Sequence, residues 1–235
     1  MRSYDVTAEF YDLLHAADYL RTTRRLLDRW LGDPQVGVID VGAGTGIATE
    51  LLAMRCDVTV HSVEPAASMR AILLSRLAGR TELLSHVRVH ARPAARLGLA
   101  SAADVAICLN TMATLDETER ADALRSIARA LVRGGILIVQ RPPEAPGPER
   151  SDLPSWQLGG DIYSGDVTCT RVDDGLVEWR FAYRVSRDGI IVREEFESFA
   201  GHLLPAVRFD RELAKAGFTP VDNDEPDVVI AHRIG

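Results

Sequence analysis

The stretch VIDVGAGTG, residues 38–46, limits most narrowly what this chain can fold into. An apolar, β-branched run carries an acid, Asp40, near its end and leads at once into Gly42, Gly44 and Gly46. A helix-forming run, residues 47–55, follows without a gap. Glycine permits positive φ and lets the backbone come close to a bound molecule. The helix behind it offers free N–H groups and a positive dipole end. In open α/β sheets, ligands lie at such a turn, outside the carboxyl ends of the strands.

The rest of the first half repeats the alternation. Residues 18–32 carry Leu20, Leu27 and Leu31 at helical spacing and stop at Gly32 and Pro34. Strand patterns cover 37–41, 58–64, 86–91, 103–110 and 136–142, and helix patterns cover 47–55, 67–79 and 116–135. Asp116 and Glu119 have capping-box spacing. Near-continuous apolar strands between helices predict a mostly parallel, doubly wound α/β sheet. The pattern changes at residue 142. A proline- and charge-rich segment reads as a loop, followed by three strand-like runs at 166–172, 176–186 and 190–199. Asp-Asp-Gly and Asp-Gly separate them as hairpin turns. In the middle run Val177, Trp179, Phe181, Tyr183 and Val185 alternate with polar residues, so one face is buried. A helix at 206–218 and a strand at 227–233 close the chain. Four segments result: 1–35, an N-terminal helical lid; 36–142, an α/β core; 143–204, an antiparallel cover inserted after strand five; and 205–235, a helix and strands completing the core sheet.

The glycine spacing separates cofactors. Dinucleotide sites use G-x-G-x-x-G, whereas here the third glycine comes one residue early and Ile47 follows it. No Lys-Ser/Thr pair follows, so a P-loop is excluded too. Glu64 stands eighteen residues after Gly46, at the tip of the second strand, in SVEPAASM. A carboxylate there can accept both hydroxyls of a ribose. Together, VIDVGAGTG and VEPAASM resemble class I S-adenosylmethionine (SAM)-dependent methyltransferases, whose first motif is an acid followed by G-x-G-x-G. The resemblance covers residues 36–142 plus the last helix and strand, and it implies a seven-stranded sheet with the meander inserted after strand five.

The resemblance also implies residue roles. Asp40, Gly42, Ala43, Gly44, Gly46, Glu64, Pro65 and Met69 would form the cofactor cradle. Leu109, Asn110 and Thr111, in ICLNTMATL, match the segment beneath the cofactor that faces the acceptor. Asn110 is equally readable as a turn residue after a strand. AEFYDLLHAADY resembles a lid in which an aromatic closes over the methionine end, making Tyr11 and Tyr19 the candidates, with docking of a terminal helix as the other reading. One place departs from the pattern. Where the family has an acid for the adenine amino group, this chain has Arg92-Pro93-Ala94, and only the Ala94 N–H remains to reach the ring. Losing one neutral hydrogen bond costs about 1 kcal/mol. Among six histidines, His202, where the inserted segment rejoins the core before the last helix, is the candidate general base, with a histidine satisfied at a strand end as the other reading.

The expected activity is methyl transfer from SAM, leaving S-adenosylhomocysteine, to N or O of a small molecule. The architecture is remotely similar to amino-sugar N-methyltransferases of natural-product pathways. The competing reading keeps the fold and the cofactor but has the cleft catalyse a non-methylating reaction such as a cyclisation, or only bind a ligand. An NAD-dependent oxidoreductase is disfavoured by Ile47. The net charge of −7 gives no general footing on nucleic acid or an anionic membrane. Cys56, Cys108 and Cys169 show no metal spacing, and no metal is expected. MRSYDVTAEF lacks an apolar signal core and no run reaches transmembrane length, so a cytoplasmic protein is expected. The exposed edges of the meander leave room for a homodimer.

Overall fold

The computed structural model describes residues 4–225 and 227–234. The first half builds β1 (Gly37–Val41), β2 (Thr59–Val63), β3 (Val87–His90), β4 (Ala103–Cys108) and β5 (Leu131–Gln140). Between them run α3 (Ile47–Ala53), α4 (Ala67–Ala78) and α5 (Glu117–Ala130), preceded by α1 (Thr7–Leu14) and α2 (Ala16–Trp30). After the insertion come α6 (Ala206–Lys215), β11 (Phe218–Val221) and β12 (Val228–Arg233). The seven strands run in the order β11-β12-β5-β4-β1-β2-β3. β1 to β5 pair in parallel, and β12 lies antiparallel between β5 and β11. This is the doubly wound sheet expected from the alternation.

The strand sequences explain why both faces are covered. Successive side chains point to opposite faces. Val38, Val105, Ile107, Ile138 and Ile230 pack with Leu26, Leu27 and Leu31 around α2 and with Leu51 and Leu52 of α3. Their neighbours Ile39, Ala106, Leu137, Val139 and Ala231 pack on the other face with Leu124 and Ile127 of α5 and Phe209 and Leu213 of α6. Asp116 caps α5 by accepting the Glu119 N–H at 2.8 Å, and Glu119 returns the bond at 3.2 Å, completing the box read from the sequence.

Two boundaries differ from the sequence reading. The helix expected through 135 ends at Ala130, and Leu131 already pairs with Ala103. The ladder shifts between Ala103 and Val105 before Ile136 resumes it, so Gly134 sits in a strand irregularity and not at a helix end. The lid contains two helices, which meet at the non-helical His15.

The insertion forms a second sheet in the order β10-β9-β8-β6, with β7 also pairing β8. The three long strands are β8 (Asp161–Asp173), β9 (Leu176–Arg187) and β10 (Ile190–His202). Asp188 and Gly189 join the last two with φ of 50° and 78°, as an Asp-Gly hairpin turn requires. The segment expected as loop adds β6 (Arg150–Asp152), and β7 (Trp156–Leu158) follows it. Runs of three residues carry too little periodicity to read as strands. Tyr183 and Val185 bury the inner face of β9 against Phe10 and Leu14 of α1. Glu197 of β10 accepts the backbone N–H groups of Asp5 and Thr7 at 2.9 and 2.7 Å, satisfying donors at the start of α1. Asp12 ties the same helix to the core, accepting from the Thr45 hydroxyl at 2.6 Å and pairing with Arg76. Helix α1 is thus clamped between the two sheets. Among the described residues no helix is long and apolar enough to cross a membrane, and no His, Cys, Asp and Glu group could hold a metal ion.

Candidate active site

Two cavities open at the carboxyl ends of β1, β2 and β4. The first, about 520 Å³, is lined by Gly42, Ala43, Gly44, Glu64, Pro65 and Met69 on one side. Pro93, Ala94, Leu109, Asn110, Tyr11 and Tyr19 also line it. Gly42 has φ of 74°, and a Cβ there would lie 2.1 Å from the Thr111 Oγ1. The loop therefore reaches this conformation only because position 42 has no side chain. Gly44 has φ of 55°, and a Cβ there would meet nothing within 4 Å. Gly46, at φ 86°, stands at the entry of α3 against Leu73 and does not line the cavity.

Glu64 is 6% exposed and its pKa is raised, chiefly by burial. One carboxylate oxygen accepts the Gly44 N–H at 2.8 Å and the other the Ala66 N–H at 2.7 Å. Two carboxylate oxygens offer about four acceptor positions, so one on each is left for a further donor. Asp40 is buried behind the loop, outside the cavity lining, and accepts from the Thr49 hydroxyl at 2.6 Å. Burial pushes its pKa up to about 7.

The second cavity, about 810 Å³, lies between the core, α1–α2 and the inserted sheet. Tyr4, Tyr11, Tyr19, Leu109, Asn110, Thr111 and Thr114 line both. At this junction burial raises the Tyr11 pKa to about 12. Asn110 has φ of 53°, a left-handed conformation that Asn tolerates better than most residues, and its N–H donates to Gln140 Oε1 at 2.9 Å. A non-glycine residue in that conformation at a cavity junction is the kind of outlier that marks functional sites.

The second cavity holds residues that no motif announced. His15 lines it, with Nε2 3.3 Å from the Tyr183 hydroxyl, which is also 3.2 Å from Thr7 Oγ1. The His15 ring stacks on Tyr11 and meets Phe181 edge-on. Burial pushes its pKa down to about 4. His202, expected as the base, lies at the end of β10 opposite Leu176 and lines neither cavity. It stands at a strand end, as in the other reading of this position. The signal for His15 was its position in the lid, beside Tyr11.

Residues 38–135 match the family described as a methyltransferase domain. The match to a methyltransferase domain supports an enzyme. The solved structures it resembles have the class I methyltransferase fold. A SAM-bound amino pentose methyltransferase of Micromonospora echinaspora (CalS10), involved in calicheamicin biosynthesis, is 23% identical, with a TM-score of 0.71 over 92% of this chain and 90% of that one. The sugar N-methyltransferase KedS8 of Streptoalloteichus is 22% identical, with a TM-score of 0.73 over 100% and 94%. The [4+2]-cyclase SpnF is 21% identical, with a TM-score of 0.57 over 86% of this chain and 59% of that one. No curated protein matches the sequence.

The smaller cavity fits SAM. Gly44 leaves free the space a Cβ would take, and Glu64 keeps acceptor capacity at the tip of β2. Met69, Pro65 and Ala94 add apolar walls of the kind a purine ring needs.

Proposed function

We propose that the protein transfers a methyl group from SAM to a nitrogen or oxygen of a small molecule, in natural-product biosynthesis. The observation that carries this is the pair of contiguous cavities, one formed by the glycine loop and Glu64, the other roofed by the inserted sheet. Residues 36–142 and 205–235 act as the cofactor-binding core, 1–35 as its lid and 143–204 as the acceptor's cover.

Bound SAM supplies a sulfonium methyl with an excellent leaving group. The protein's work is then alignment and exclusion of water. Glu64 accepts the ribose hydroxyls, with the residues of the loop at Gly42, Ala43 and Gly44 against the ligand. Pro65, Met69, Pro93 and Ala94 hold the adenine, and Asp40 fixes the loop from behind through Thr49. Tyr11 and Asn110, which line both cavities, form the neck between donor and acceptor, with Leu109 beneath and Tyr19 beside it.

The acceptor cavity favours an amine. Asp18, Glu144, Asp152 and Asp227 line it, and its one guanidinium, Arg141, is paired with Asp210 at 2.7 Å. Trp179, Phe181, Tyr183 and Phe199 add aromatic walls. Carboxylates and aromatic faces together suit a cation. An amine must shed its proton before it attacks. His15, whose pKa burial lowers to about 4, is too weak a base to hold that proton near pH 7, so the proton leaves to water, while the neutral imidazole and Tyr183 orient the acceptor. The natural-product setting is supported by the similarity to CalS10 and KedS8.

The test is incubation with SAM and a panel of amino and hydroxy compounds. The expected result is one S-adenosylhomocysteine per methylated product, with amines preferred. SAM binding without consumption in the presence of every acceptor would reject methyl transfer. It would favour the second reading, a cleft that keeps SAM or its product as a structural group. That reading rests on the similarity to SpnF, a cyclase.

A further inference from the structure

Most arginines of this chain have carboxylate partners. Arg76 pairs with Asp12 and Glu50, and Arg120 with Glu212. On one face this stops. Arg92, Arg96 and Arg129 line a cavity of about 580 Å³ between the loop after β3 and the end of α5. No carboxylate lines it, and among the described residues none of the three makes an ion pair. In a chain of net charge −7, three guanidinium groups have gathered without a counter-charge. Like charges held within a Debye length, about 8–10 Å, repel one another. An anion placed among them removes that cost. Arginine's planar fork suits phosphate in particular.

The pocket also has fixed parts. Gly98 has φ of 68°, and a Cβ there would lie 2.0 Å from Arg92 Nη1. The missing side chain makes the niche in which the Arg92 guanidinium lies, donating to the Leu97 carbonyl at 3.3 Å. Ser126 is 2% exposed and also lines the cavity. Its Oγ accepts the Leu97 N–H at 2.9 Å, which binds the loop to α5. Its hydroxyl hydrogen is spent on no acceptor among the described residues and remains available to an anion oxygen.

We infer that this arginine pocket is a binding site for a phosphate-bearing small molecule, separate from the two cavities of the methyl-transfer site. Pro93 lines both this pocket and the cofactor cavity, so the two sites share one wall. The inference does not depend on the methyl-transfer reading.

The test is calorimetric titration of the full chain with inorganic pyrophosphate and, separately, with a nucleoside diphosphate, at constant ionic strength. Arg96→Ala/Arg129→Ala is the test variant. Arg211→Ala, an exposed arginine elsewhere, is the control. Both positions of the test variant are exposed, so the fold should survive. The inference expects saturable pyrophosphate binding with a Kd below about 1 mM. It expects the test variant to weaken binding by about tenfold or more, and the control to leave it unchanged. Tighter binding of the nucleotide would identify a nucleotide as the source of the phosphate, and equal binding would identify the phosphate alone. Absence of saturable binding to both ligands, or equal weakening in test and control variants, would overturn it and leave a solvated basic face.

Discussion

The two cavities of the active site are neighbours built by opposite means. The cofactor cavity is built around the loops at the tips of β1, β2 and β4, with the Glu64 carboxylate locked to the Gly44 and Ala66 N–H groups. The acceptor cavity is made by side chains from segments far apart in the chain. His15 meets Tyr183 across 168 positions, and Thr7 meets Glu197 across 190. Local backbone conformation leaves a mark in a short stretch of sequence, whereas packing between distant segments does not. The comparison predicts that the first cavity is intolerant of small changes in its loop, and that the second can be altered while the first still works.

The harshest way to break the comparison is Gly42→Ala. A methyl group must overlap the Thr111 hydroxyl at a φ of 74°. Strain and overpacking together should lower stability by about 3–5 kcal/mol and remove SAM binding. Thermal unfolding and calorimetry check this, and a normal melting temperature would refute the account of the loop. Next comes Glu64→Ala, which should weaken SAM binding by about a hundredfold, the value of two lost charge-assisted hydrogen bonds. Equal affinity would remove the ribose role.

Asp40 gives a pH signature to the core alone. Its pKa of about 7 in the folded chain exceeds that of an unfolded aspartate, near 4. The folded state therefore holds the proton more tightly. Asp40's contribution is full below about pH 4 and is lost as the pH rises through about 7. Relative to the wild type, Asp40→Asn should lose stability less steeply over that window, by up to about 1.4 kcal/mol per pH unit. Parallel denaturation curves at each pH would contradict the assignment. The mildest change is Tyr183→Phe, which removes the hydroxyl between Thr7 and His15. It should cost about 1 kcal/mol in stability, leave SAM affinity unchanged and lower turnover, because the acceptor is held less firmly.

The same contrast explains what was legible in the sequence. The doubly wound sheet was readable because its strands bury both faces and are near-continuously apolar, as in GVIDV, where Asp40 is the one exception. The glycine loop was readable because only glycine fits at position 42. The end of α5 was misread because Gly134 and Gly135 resemble a helix stop but lie in a strand irregularity. β6 and β7 were missed because three-residue strands carry no period. His15 and Tyr183 were separately visible, one in a lid and one on a buried face, but only folding shows that they meet.

The most direct measurement is calorimetric titration with S-adenosylhomocysteine of the wild type, Glu64→Ala and Trp179→Ala. Trp179 lines only the acceptor cavity. The account predicts one site per chain in the wild type, strong loss in Glu64→Ala and unchanged affinity in Trp179→Ala. Absence of binding to the wild type, or equal loss in both variants, would contradict it.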